Sequence, residues 1–117
     1  GDDTITINAG SVDGSVIGGA GTDELTGTLI DAAVLTGSDA TGYAGTEDTI
    51  TGTFTGVNTL TGNLGTLTGS DVASAWTIDG ASSLYFDNSA NGTLSISGFD
   101  TYTGGNDADI FFKESSF

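Results

Sequence analysis

Residues 18–26 read Gly-Gly-Ala-Gly-Thr-Asp-Glu-Leu-Thr. The string fits the pattern Gly-Gly-x-Gly-x-Asp-x-apolar-x at every specified position, with Leu25 as the apolar residue. Each part has a physical task. Glycines let the chain turn tightly enough to present backbone carbonyls inward. Asp23 adds a hard anionic oxygen, and Leu25 anchors the strand that follows. Calcium takes about 6–8 oxygens of this kind, so the spacing suits a calcium turn.

Three partial copies extend the pattern. Gly1-Asp2-Asp3-Thr4-Ile5 is its second half. Thr46-Glu47-Asp48-Thr49-Ile50, after Gly45, repeats the Asp-x-apolar core. Gly104-Gly105-Asn106-Asp107-Ala108-Asp109-Ile110-Phe111 keeps the frame, with Asp107 where the second-half glycine would stand. The plainer alternative for each is a turn in which the Asp side chain bonds its own backbone. Acidic pairs such as Glu47/Asp48 and Asp107/Asp109 also have the makings of a glycosidase dyad. Polysaccharide-cleaving solenoids line their clefts with Arg, Lys or His, and this chain holds one Lys and neither of the others. No catalytic residue is assigned and no enzyme is expected.

The motifs resemble those of the repeats-in-toxin calcium family and of the giant bacterial surface proteins built of β-strand repeats. In the latter, a Trp-x-apolar-x-Gly segment leads to an apolar-Gly-Phe-x-x-aromatic-Thr-Gly-Gly stretch closed by Asp-x-Phe. Here those segments are Trp76-Thr77-Ile78-Asp79-Gly80, then Ile96 through Gly105, then Asp109-Ile110-Phe111. The resemblance covers most of the chain. It implies a secreted, calcium-dependent, structural or adhesive module. Position by position, it implies that Gly19, Gly21 and Asp23 hold one ion and that Asp3, Asp48, Asp107 and Asp109 hold others. The toxin family stacks contiguous nonapeptides, whereas the copies here stand well apart, so a complete roll is not implied.

Composition narrows the function further. The 117 residues include 16 Asp+Glu and a single cation, for a net charge of -15. Nucleic acid needs Lys and Arg to neutralise phosphates, so it is excluded as a partner. The chain has no Cys and no His, which removes thiolate-zinc, disulfide and histidine acid–base chemistry. No apolar run reaches the ~18 residues of a membrane span. Divalent cations are the natural relief for so much negative charge. Sparse trypsin-type cleavage sites suit an extracellular location. The chain does not begin with Met, which is expected of a processed chain or a piece of a longer one.

The elements that must carry these turns are strands. Apolar residues come in short groups, among them Ile5/Ile7, Val16/Ile17, Leu29/Ile30, Val34/Leu35, Trp76/Ile78 and Leu84/Tyr85/Phe86. Each group is bounded by Gly, Asn, Asp or Ser, the strand-and-turn signature. Glycine and threonine each account for 20 residues, and Thr favours strands over helices. An internal likeness joins residues 53–62, Thr-Phe-Thr-Gly-Val-Asn-Thr-Leu-Thr-Gly, to residues 95–104, Ser-Ile-Ser-Gly-Phe-Asp-Thr-Tyr-Thr-Gly, at an offset of 42. A period of that size points to stacked units burying a shared core.

The expected fold is therefore all-β: one domain over 1–117, a parallel β-solenoid or β-helix of about five to six coils of ~21 residues. Phe54 and Ile96 would then hold equivalent positions, as would Val57 and Phe99. The alternative fold is an immunoglobulin-like β-sandwich. Thr-x-Thr triplets such as Thr4-Ile5-Thr6, Thr59-Leu60-Thr61 and Thr101-Tyr102-Thr103 carry a second functional reading, a flat hydroxyl face that binds ice or carbohydrate. Trp76, Tyr85, Phe86 and Tyr102 are candidates for a strip that stacks on a surface glycan, or for core. Joining Ser115-Ser116-Phe117 to Gly1-Asp2-Asp3 gives a continuous string of the same style. The expected partner is accordingly a second copy, stacked head to tail in a filament or tandem array.

Overall fold

The structure, a computed structural model, describes residues 1–79 and 83–113, and of Lys113 the backbone alone. Gly80 and the expected junction through Ser115-Ser116-Phe117 lie outside the described residues. Among the described residues thirteen strands follow in chain order: β1 (Thr4–Thr6), β2 (Val16–Ile17), β3 (Glu24–Thr26), β4 (Ala32–Asp39), β5 (Gly42–Glu47), β6 (Phe54–Val57), β7 (Thr59–Thr61), β8 (Thr66–Thr68), β9 (Ser74–Ile78), β10 (Ser83–Phe86), β11 (Thr93–Ser97), β12 (Thr101–Thr103) and β13 (Asp109–Lys113). Among the described residues there is no helix, and so none long and apolar enough to cross a membrane.

Alternation explains the strands locally. In Glu24-Leu25-Thr26, Thr59-Leu60-Thr61 and Thr66-Leu67-Thr68 the middle residue is buried and its neighbours are partly exposed. A period of two places the leucine on the core face and the polar pair on the outer face. Leu29 and Ile30 form no strand; they sit in the connection from β3 to β4, where Ile30 is nevertheless fully buried.

Two mixed sheets result, neither of them closed. One has the order β1-β3-β7-β11-β10-β9-β13 and the other β12-β8-β4-β5-β6-β2. Parallel registers run Thr4↔Glu24, Glu24↔Thr59 and Thr59↔Ser95 in the first sheet. They run Ala32↔Thr66 and Thr66↔Thr101 in the second. The first step spans 20 residues and the later ones 34 to 36. Each longer step contains part of an antiparallel meander, β4-β5-β6 in one sheet or β9-β10-β11 in the other. A uniform step near 21 residues therefore holds only at the start of the chain.

The 42-residue offset is also corrected. Residues 95–97 pair with 59–61, not with 53–55. Phe54 and Ile96 are both buried, but Phe54 lies on β6 of the six-stranded sheet and Ile96 on β11 of the seven-stranded one. What the two segments share is a corner. In each, a glycine of positive φ, Gly56 (67°) near the end of β6 or Gly98 (84°) just after β11, lies where the chain crosses to the other sheet. The likeness encodes this local crossing, made in opposite senses. At Gly98 the requirement is strict, because a Cβ there would collide with the Gly62 carbonyl oxygen.

One core serves both sheets. Leu25, Leu60, Leu94 and Ile96 enter it from the seven-stranded sheet, and Leu35, Phe54, Val57 and Leu67 from the six-stranded sheet. Burying each such side chain is worth about 1.5–3 kcal/mol. Tyr43 and Tyr85 meet edge to face across the sheets at 5.6 Å, and Tyr85 packs on Trp76 at 4.6 Å.

Candidate metal centre

Asp23 stands immediately before β3 and is fully buried. Its backbone is locked into the neighbouring strand, since its carbonyl accepts the Asn58 and Thr59 N–H groups at 2.9 and 3.1 Å. Its own N–H donates to Asn58 Oδ1 at 2.8 Å. On the other side, Asp23 Oδ1 accepts the Asp3 N–H at 2.7 Å. The second oxygen, Oδ2, is buried and has no hydrogen-bond partner among the described residues. A carboxylate oxygen at this depth needs a partner, and a cation or a bound water would supply one.

Gly18 lies against that oxygen. A Cβ on Gly18 would come within 3.0 Å of Asp23 Oδ2 and would collide with the Gly56 carbonyl oxygen. Glycine at position 18 thus lets the chain pass this close to both the Asp23 carboxylate and the Gly56 carbonyl. Gly19 and Gly21 have φ of 80° and 108°, which the turn requires and which side chains resist. Gly21 packs under Gly1 and the Asp2 carboxylate, and Asp2 Oδ1 accepts the Thr22 N–H at 2.8 Å. The structure gathers Gly19, Gly21 and Asp23, expected around the first ion, at one corner, and brings Asp3, expected at another ion, beside them. It adds Gly18 and Gly56, of which Gly56 had no signal in the motif because it arrives from a different strand.

Asp48 joins a different group. Carboxylate oxygens of Asp31, Glu47 and Asp48 lie within 4.8 Å of one another, the one such trio among the described residues. Glu47 is 2% exposed and its acceptors are all engaged. Oε2 takes the Asp31 and Ala32 N–H groups at 3.2 and 2.8 Å, and Oε1 takes the Thr49 N–H and hydroxyl at 3.0 and 2.8 Å. Glu47 is therefore a clamp on the start of β4, and Asp31 and Asp48 are the oxygens left for a cation. The Asp48 carboxyl is held above its ordinary range by its hydrogen bond to Glu47, by desolvation and by the Glu47 charge. The sequence pattern pointed to Glu47 and Asp48 together but not to Asp31, which the β4–β5 hairpin brings across.

Asp107 and Asp109 join no such group. Asp107 is exposed. Asp109 Oδ1 accepts the Ser74 N–H at 3.1 Å, the same service that Asp23 gives Asp3. Trp76 and Tyr85 are fully buried, so they offer no ring face to a glycan; the Tyr85 hydroxyl bonds Ser70 and Ser74 instead. No protein family, curated protein or solved structure matches this chain.

Proposed function

We propose that this chain is an extracellular β-solenoid module, structural or adhesive, stiffened by calcium and continued head to tail by copies of itself. The observation that carries the reading is Asp23, fully buried with one oxygen unpartnered in a glycine-lined turn. Calcium at that oxygen, with the Gly56 carbonyl beside it, would tie β3 to the turns around Gly18 and Gly56. Asp31 and Asp48 are a second, more exposed pair of ligands. Among the described residues, seven parallel strand pairs against four antiparallel support stacked coils over an immunoglobulin-like sandwich, whose sheets are antiparallel. A charge of -15 supports a role for divalent cations, and near-absence of Lys and Arg supports life among extracellular proteases.

Thermal unfolding tests the calcium reading. An ion that binds only the folded chain adds about 2.7 kcal/mol at a hundredfold excess over its dissociation constant. At this chain length that raises the melting temperature by about 10 °C or more. The increment is expected to vanish in Asp23→Ala and to survive in Asp71→Ala. Equal melting in calcium and in chelator would sink the reading.

A second reading, an ice- or carbohydrate-binding face, draws on the outward rows of hydroxyls. Thr59 and Thr61 stand beside Ser95 and Ser97 in one sheet, and Thr66 and Thr68 beside Thr101 and Thr103 in the other. Glu24 interrupts the first row and binds the Thr61 hydroxyl at 2.9 Å. A freezing-hysteresis assay separates this reading from the first.

A further inference from the structure

The two ends of the strand stack are complementary. In the seven-stranded sheet β1 forms one edge and β13 the other. Followed through the pairings, β1, β3, β7, β11, β9 and β13 run the same way and β10 alone runs against them. In the six-stranded sheet the edges are β2 and β12, and these too run parallel to each other. A copy displaced along the stack therefore meets both open edges in the parallel sense that most internal pairs already use.

A hydrogen-bond rule inside the molecule fixes the register. At the starts of strands, an Asx side chain accepts the N–H of the residue one strand earlier. Asp23 accepts from Asp3, Asn58 from Asp23, and Asp109 from Ser74. Asp3 and Asp23, in one row, turn their N–H groups the same way, toward the following strand, whereas Asn58 turns its N–H back to the Asp23 carbonyl. The Ser74 N–H points to β13, and if β13 follows the order of Asp3 and Asp23 the Asp109 N–H faces the open edge. At the far edge Asp3 occupies the row of Asp23 and Asn58, and its carboxylate has no hydrogen bond among the described residues.

We propose that the Asp109 N–H donates to the Asp3 carboxylate of a second copy of this chain, pairing β13 with that copy's β1 and extending the stack. The proposal rests on the head-to-tail reading above and names its strands. An unpaired anion on one edge meets an unpaired donor on the other. The register sets Ile110 against Thr4, Phe111 against Ile5 and Phe112 against Thr6. Apolar surface agrees: Phe111 is 47% exposed although it stacks on the fully buried Trp76 at 5.1 Å, while Ile110 and Phe112 are 58% and 54% exposed. Ile5 at the opposite edge is only partly buried. The charges of β13 stand at its two ends, Asp109 and Lys113, and Ile110 to Phe112 between them are apolar. The contact is heterologous and does not close, so it builds filaments.

The chain has no cysteine, so single thiols can be placed at will. Thr4→Cys and Ile110→Cys are made separately, mixed in equal amounts with calcium at physiological ionic strength, where charges beyond ~8 Å are screened, and oxidised. Non-reducing electrophoresis is expected to show the mixed dimer in large excess over both homodimers. Random collision yields a mixed dimer only twice as abundant as each homodimer; that outcome, or no dimer, overturns the proposal. Ile17→Cys, 74% exposed on β2, replaces Ile110→Cys as the control and is expected to give no excess. Trp76 fluorescence checks that each variant is folded. Light scattering of the unaltered chain is expected to give a mass that rises with concentration, and a monomer at every concentration contradicts the proposal. The calcium reading is scored separately, from the melting shift of alkylated Thr4→Cys, so either idea can fail alone.

Discussion

Two buried carboxylates show how differently one residue type can be used. Glu47 has every acceptor engaged by N–H and O–H donors, whereas Asp23 has one oxygen engaged and one alone. Glu47→Ala removes four hydrogen bonds, from Asp31, Ala32 and Thr49, each worth about 0.5–1.5 kcal/mol net. A loss of about 3 kcal/mol or more is expected in urea unfolding, with Glu47→Gln milder. Asp48 has the opposite sign. Its carboxyl is raised in the folded chain, by the hydrogen bond with Glu47 first and by desolvation and the Glu47 charge after it. A raised carboxyl gives stability below its unfolded pKa, near 3.9, and loses it as pH rises through the folded value. Asp48→Asn is therefore expected to raise the melting temperature at neutral pH in chelator, with no gain near pH 3. A gain that persists unchanged in acid would contradict this origin.

Between elements, a polar clamp ties the β4–β5 hairpin to the β10–β11 connection. The Ser38 hydroxyl donates to Asp87 Oδ2 at 2.6 Å, and the Ser89 hydroxyl and N–H donate to Oδ1 at 2.6 and 3.1 Å. Tyr43 on β5 donates its hydroxyl to the Gly92 carbonyl at 2.7 Å, and burial pushes its phenol well above the ordinary range. For Asp87, burial pushes the carboxyl up, but the hydrogen bonds from Ser38, Ser89 and Tyr43 outweigh it and hold it low. A lowered carboxyl gives stability above its unfolded pKa, near 3.9, and loses it as pH falls through the folded value. Urea midpoints are expected to drop in acid below about pH 4, and Asp87→Asn to flatten that drop while lowering stability at neutral pH. A variant with the wild-type acid slope would place the titration elsewhere. Strands were legible in the sequence for the same reason the clamp was not. Ile5, Leu25, Leu60, Leu67 and Ile96 announce their faces by simple alternation. Asp87 and Ser38 meet only because two meanders interrupt the stacking, and nothing in a Gly/Thr-rich sequence sets the length of a meander. The repeat of residues 53–62 in 95–104 misled in register because corner chemistry is local and indifferent to which sheet the strand leaves. Asp23 was legible as a turn aspartate; its complete burial, and the arrival of Gly56 beside it, depend on pairing across 35 residues.

At the scale of the whole molecule, the chain carries a net charge of -15 on two open sheets that share one core. Self-repulsion of that size favours expansion unless cations or partners offset it. Calcium at Asp23 and further copies at the β1 and β13 edges would supply that offset. Calcium titrated into the chelator-treated, isotope-labelled chain, followed by amide chemical shifts, tests the central claim most directly. The largest shifts are predicted at Gly18, Gly19, Gly56 and Asp23, and at Asp3, whose N–H bonds the Asp23 carboxylate, and they should be absent in Asp23→Ala. Shifts confined to the exposed turn around Asp107, or no shifts at all, would contradict the account.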